Sequence, residues 1–384
     1  MDFTLSEEHL MIRQAARDFA NTECLPGVID RDEHQKFPYE QVMKLADLGF
    51  LGMMVPEKYG GAGLDTISYV LAMEEISKVD ASVSVCMSVN NSLVCYGLEA
   101  FGSEEQKKKY LIPLAQGKKD DKLYIGAFLL SEPEAGSDAT SQRTTAEEKD
   151  DHYLMNGVKN WITNGNSASI YLVMAQTHPE KGSHGINTFI VEKNWPGVQV
   201  GAKENKLGIR GSDTHSISFS DVKVPKENRI GADGFGFKFA MQTLSGGRIG
   251  IASQALGLAS GAMERAIAYS KERKAFGTEI KNHQIIQFKI ADMATRIDAA
   301  RLLCLRAAWQ KDNRKDYTES AAMAKVFSSE TAMWVTTEAI QIHGGYGYVK
   351  EYHVERMMRD AKITQIYEGT SEVQRIVISR GILK

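Results

Sequence analysis

The stretch Ile366-Tyr367-Glu368-Gly369-Thr370-Ser371-Glu372-Val373-Gln374 places a carboxylate beside a glycine, just ahead of a helix start. Ser371 and Gln374 have the spacing of a capping box, so the last helix is expected to open there, its free N–H groups forming an anion site. Glu368 then stands outside the cap. A carboxylate on a turn is ordinarily solvated surface. What sets this one apart is its place in a short joint between helices, near a second glycine-rich turn, where a cavity wall can form. Burial there raises a carboxyl pKa towards that of a useful general base.

Three further segments could share that chemistry. Gln341-Ile342-His343-Gly344-Gly345-Tyr346-Gly347-Tyr348 ends a helical pattern with three glycines in four residues. One glycine stops a helix; three let a ligand approach the backbone closely. In Phe128-Leu129-Leu130-Ser131-Glu132-Pro133-Glu134-Ala135-Gly136-Ser137-Asp138, an apolar strand runs into a turn of hydroxyls and small residues that can present donors to a polar ring or a phosphate. In Lys159-Asn160-Trp161-Ile162-Thr163-Asn164-Gly165, strand alternation puts Trp161 and Thr163 on one side, able to stack on and hydrogen-bond a flat ligand. Taken singly, the second of these reads first as an ordinary loop, and the third as a tryptophan packed between domains beside an Asn-Gly turn.

The elements that must position these segments follow a simple order. From Thr4 to about Gln116 the pattern is helical, opening on a capping box at Thr4 and Glu7 and continuing through Leu10, Ala15 and Phe19. From about Asp120 to Gly236 it changes to short β-rich runs, such as 170–175, 188–191 and 216–219. Helical periodicity returns after Phe237, through 249–274, 284–311 and 320–343. The expected fold is mainly α with a central β domain: a helical N-terminal domain over 1–119, a middle β domain over 120–234 and a C-terminal helical bundle over 235–384. Without βαβ alternation or a GxGxxG after a strand, a Rossmann dinucleotide site is not supported.

A chain of 384 residues exceeds one ordinary core and can bury a large cofactor. With 25% charged residues and a net charge of -3, it has no global attraction for nucleic acid. No apolar run approaches the roughly 20 residues of a membrane span, and the N-terminus reads into an amphipathic helix. No membrane association is expected, and a cytoplasmic location, or the mitochondrial matrix if a transit peptide was removed. Cys24, Cys86, Cys95 and Cys304 form no CxxC pair, and His9, His34, His178, His283 and His353 fit no metal spacing, so buried reduced thiols and no metal are expected. Lys107-Lys108-Lys109 reads as a solvated helix face, and Met241 to Leu244 as core.

Together the four segments resemble the acyl-CoA dehydrogenase family over the whole chain, most closely its short-chain (butyryl-CoA) members. Gln341, Gly344, Gly345, Gly347, Tyr348, Glu351, Arg356 and Asp360 stand at the family spacing, followed by Ile366-Tyr367-Glu368-Gly369-Thr370. The signature from Leu130-Ser131-Glu132 through Gly136-Ser137-Asp138 to Ser141 also matches, except that Leu129 replaces a small residue. The resemblance implies FAD, its ring against Phe128, Leu130, Ser131, Trp161, Ile162 and Thr163, with Gly136 and Ser137 in the adjoining turn and Thr370 and Glu372 near the rest of the cofactor. It places Arg273, Phe276, Gln284, Gln341, Gly344 and Gly345 on the pyrophosphate and adenosine across a subunit interface, in a homotetramer built as a dimer of dimers.

The same resemblance implies an acyl-CoA substrate touching Ser137, Ser245, Arg248 and Gly369, and Glu368 as the base. Some relatives carry the catalytic carboxylate just before that arginine, where this chain has Gly247. Glu368 would take the pro-R α-hydrogen while a hydride leaves the β-carbon for flavin N5, giving a trans-2-enoyl-CoA, with electrons passing on to an electron-transferring flavoprotein. The string Met87-Ser88-Val89-Asn90-Asn91-Ser92-Leu93 looks like the cavity end of short-chain members, so C4 to C6 substrates are expected. Ser245 stands where short-chain members usually carry Asp, which leaves isobutyryl- or 2-methylbutyryl-CoA as the alternative. A non-catalytic acyl-CoA-binding protein of the same fold is the other alternative; an oxidase of this fold would be much longer.

Overall fold

The computed structural model describes residues 4–383. Helix α1 (Glu7–Phe19) does not open at Thr4. Its N-cap is Ser6, whose hydroxyl accepts from the His9 N–H while the His9 ring accepts from the Ser6 N–H. Its buried face is turned as well: Ala16 and Phe19 are buried, Ala15 is exposed and Leu10 is 43% exposed. Helices α2 (Thr66–Ser77) and α3 (Ala81–Ser88) are each capped by an aspartate, Asp65 and Asp80, accepting from first-turn N–H groups. Both are covered on nearly every side, so neither needs a polar stripe.

Helix α3 runs into a π-helical stretch, Val89–Cys95. Two buried asparagines anchor it. The Asn90 amide donates to Leu51 O and Leu114 O and accepts from Gly126 N, while Asn91 donates to Phe50 O. Buried amides are tolerated when partnered in this way, and these partners lock the stretch to the first strand of the sheet.

Strands β1 (Gly126–Leu129), β2 (Thr145–Glu148), β3 (His152–Thr163), β4 (Ile170–Gln176), β5 (Ile186–Glu192), β6 (Val198–Lys203), β7 (Thr214–Pro225) and β8 (Arg229–Ile230) form one eight-stranded sheet. Their order is β8-β5-β4-β2-β3-β7-β6, with β1 pairing in parallel with β4. Strand β4 is buried at every position, which is why it reads as an unbroken apolar run. The β3–β7 ladder shifts register between Lys159 and Ile162, and that bulge re-aims Trp161.

Helices α4 (Gly236–Glu272), α5 (Gln284–Asp312), α6 (Thr318–His343), α7 (Val354–Ile363) and α8 (Ser371–Ile382) complete the chain. Helix α4 is buried without a break from Ser245 to Ala262 and packs against both α2 and α6, so it is the spine of the helical part. All four cysteines are free and buried. Among the described residues no group of side chains could hold a metal, and no helix is long and apolar enough to cross a membrane.

Candidate active site

Helix α8 is capped one residue earlier than the Ser371-Gln374 spacing suggests. Thr370 is the N-cap, its hydroxyl accepting from Val373 N. Gln374 turns back instead, donating to Glu368 O at 3.2 Å and Gly369 O at 2.9 Å. Those carbonyls belong to two successive left-handed residues, Glu368 (φ +52°) and Gly369 (φ +91°). For glutamate such a backbone costs about 1–3 kcal/mol and persists only where its surroundings enforce it. A second clamp comes from α6, where Lys325 Nζ donates to Gly369 O at 2.6 Å.

The turn aims the Glu368 carboxylate at α4. It lies against Gly247, where an added Cβ would collide with Oε2 and would sit 2.8 Å from the Leu93 side chain. Among the described residues Oε2, shielded from solvent, has no hydrogen-bond partner, and neither has the buried Arg248 Nε. Burial pushes the Glu368 carboxyl up to about 7, against the pull of Lys325 and Arg248. The Glu368 N–H makes no hydrogen bond among the described residues. The site therefore offers a carboxylate poised near neutrality and an unspent donor beside it. Tyr69 and Ser88, joined by a 3.0 Å hydrogen bond, close the space one turn further along α4, at Gly250.

The segments 128–137 and 159–163 form one wall. Asn160 N donates to Ser131 O at 2.9 Å, and the buried Lys159 ammonium reaches Leu130 O, Glu132 and Gln142. At the bulge Trp161 takes φ +62° and is 60% exposed, Thr163 is half-buried, and Ile162 is buried behind them. Phe128 stacks on Phe239 at 6.4 Å between ring centres, and with Leu130 and Leu93 it belongs to one apolar cluster, so this wall shares a core with the Leu93 side chain that meets Gly247 beside Glu368. Leu129 points the other way, fully buried in the sheet's own core, which explains how a large residue is accepted there. Gly136 and Ser137 lie exposed at the turn. Ser245 is buried and donates its hydroxyl to Met241 O, back along its own helix.

A separate open groove of about 480 Å³ is lined by Tyr269, Arg273, His343, Gly344, Gly345 and Tyr346, among others. Gly344 has φ +61°, and a Cβ at Gly344 or Gly345 would meet nothing within 4 Å. Gln284, Gln341 and Phe276 are exposed but do not line this groove, and Phe276 is 96% exposed. Thr370 and Glu372 stay with the cap of α8.

Lys325 was not singled out from the sequence, Gly247 was noted only for lacking an acid, and Gln374 was expected at the cap of α8 and not on the turn before it. For Lys325 a signal exists: a lone lysine within the stripe Ala321, Ala324, Ser328, Ser329, Ala332 on the buried face of α6.

Residues 6–118, 127–222 and 234–383 match the N-terminal, middle and C-terminal domains of acyl-CoA dehydrogenase. The chain is 49% identical, over all of both chains, to the short-chain specific acyl-CoA dehydrogenase of Clostridium acetobutylicum. It superposes with TM-score 0.97 on the butyryl-CoA dehydrogenase of Megasphaera elsdenii, at 48% identity and full coverage of both chains. A chain from a structure described as the electron transferring flavoprotein of Acidaminococcus fermentans gives the same TM-score at 51% identity, again over all of both chains. With all three domains in order along it, this chain belongs to the acyl-CoA dehydrogenase family.

Proposed function

We propose that the protein dehydrogenates a short-chain acyl-CoA, of the butyryl-CoA kind, to the trans-2-enoyl-CoA, with Glu368 removing the α-proton. The observation that carries this is the Glu368 carboxylate itself: buried over Gly247, pushed up to about 7, and without a partner for Oε2. A base with that pKa is half ionised near neutral pH and accepts a proton readily. Because a thioester α-proton is weakly acidic, the developing enolate needs donors on its carbonyl oxygen. The Glu368 N–H, which makes no hydrogen bond among the described residues, can serve as one of them.

The family's cofactor is FAD, and the residues here fit it. Trp161 offers an exposed ring face on a rigid bulge, Thr163 and Ser131 offer hydroxyls beside it, and the glycine groove beside Arg273 leaves room for a dinucleotide's far end, a guanidinium being suited to pyrophosphate. When bound, FAD supplies the two-electron acceptor for the hydrogen leaving the β-carbon. The chain's own task is alignment: Arg248 and Ser137 to hold the CoA ester, Glu368 on one face of the acyl chain, and the Trp161 wall to seat the flavin.

Short chains are favoured because Tyr69 and Ser88 block α4 at Gly250, about 4.5 Å along the helix axis from Gly247. The likeness to the Acidaminococcus fermentans chain supports an electron-transferring flavoprotein as the acceptor. The exposed apolar residues Phe276, Ile285 and Phe288, close in sequence to the groove residues Arg273 and Ile280, support a homotetramer.

The test is anaerobic flavin bleaching with a panel of thioesters. Butyryl-CoA is expected to react fastest; faster turnover of octanoyl-CoA would remove the chain-length reading, and faster turnover of isobutyryl- or 2-methylbutyryl-CoA would move it to branched substrates. Glu368→Gln is expected to keep flavin and ligand while losing reductive activity by several orders of magnitude.

A further inference from the structure

Lys325 is 0% exposed, on the face of α6 that carries Ala321, Ala324, Ser328 and Ser329. An ammonium among alanines and serines is costly to bury, and a fold in need of filler would carry Met or Leu there. The other fully buried lysine, Lys159, has three acceptors including the Glu132 carboxylate. Lys325 has the Gly369 carbonyl oxygen, the one that follows Glu368, at 2.6 Å. It thus grips the left-handed pair from α6 while Gln374 grips it from α8.

We propose that Lys325 is the positioning residue of the base: its ammonium fixes the Glu368-Gly369 turn under α4 and sets a positive charge beside the turn that carries the carboxylate. This rests on the reading of Glu368 as the base. The charged and titratable groups facing the pair are Arg248 from α4, Glu372 from α8, Tyr69 from α2 and Tyr367 beside the base, with Tyr317 ahead of α6 facing Arg248. Of these, Lys325 draws the Glu368 carboxyl down most strongly, ahead of Arg248. Burial brings Lys325 itself to about 8, so it is a cation in the range where the base works.

The experiment uses FAD-loaded enzyme with Lys325→Met and Lys325→Arg. Two quantities are read against pH: the bleaching rate with butyryl-CoA, and the infrared band of the protonated carboxyl that Glu368→Gln removes. In Lys325→Met the acid limb and the band midpoint are expected to rise by about one pH unit, with a roughly fivefold slower reaction at pH 7 and little change in KM. Lys325→Arg keeps the cation and is expected to leave both midpoints in place while slowing the reaction through a misplaced turn. Unmoved midpoints in Lys325→Met overturn the proposal, as does an upward shift as large in Lys325→Arg, which also decides the matter if the Met variant fails to fold. Full activity in Glu368→Gln would remove the base reading itself; an inactive Glu368→Gln beside unmoved midpoints rejects Lys325 alone.

Discussion

The turn under α4 and the groove at Gly344 both use glycines and left-handed backbone, yet they are built in opposite ways. At the turn, every polar group of Glu368 and Gly369 that is held is held by a buried side chain of another helix, and one added methyl at Gly247 has no room. At the groove, added atoms meet nothing, and Phe276, three residues after its Arg273, stands almost wholly in solvent. The closed end is built from residues of α4, α6 and α8 and suits chemistry that must exclude water. The open end suits binding, and its unfilled apolar surroundings suit completion by a second subunit.

That contrast can be broken from either side. The largest effect is expected at Gly247→Ala, where the new methyl displaces the carboxylate: kcat/KM should fall about 100-fold with flavin content unchanged, and near-normal kinetics would show that the carboxylate does not rest there. A smaller effect concerns stability. Because the folded pKa of Glu368 lies above the usual carboxyl value, the ionised group opposes folding, and native stability declines as pH rises from about 4.5 through about 7. Glu368→Gln lacks that loss, so it should be more stable than the native chain by about 1–3 kcal/mol at pH 8, with the difference vanishing near pH 4.5. Urea unfolding at the two pH values checks it, and a native chain more stable than the variant at pH 8 contradicts the buried base. Arg273→Ala should weaken FAD retention about tenfold while leaving the acid limb of the reaction where it was. A shifted limb would mean that the two ends are not independent.

The long elements were legible because their periodicity is long: α4, α5 and α6 and the unbroken apolar run of β4 announce themselves over many residues. The details that make the site work were less so. Thr370 and Ser371 are both good N-caps, and only the turn before them decides which is used. Likewise Ser6 rather than Thr4 opens α1, since His9 supplies the reciprocal bond that Glu7 was expected to give. The bulge that gives Trp161 its positive φ depends on the register of β7, more than 50 residues away. Lys325 escapes notice because lysine is normally a surface residue, and its partner is a backbone carbonyl, which has no identity in a sequence.

Trp161 has a use outside the reaction. It is one of four tryptophans, and it is 60% exposed at the bulge of the β3–β7 ladder. A flat, light-absorbing ring stacked on it would quench its emission, while water would leave it bright. If the proposed flavin seat is right, cofactor occupancy would be readable without substrate as a loss of this fluorescence, and a Trp161→Phe chain should lack the signal.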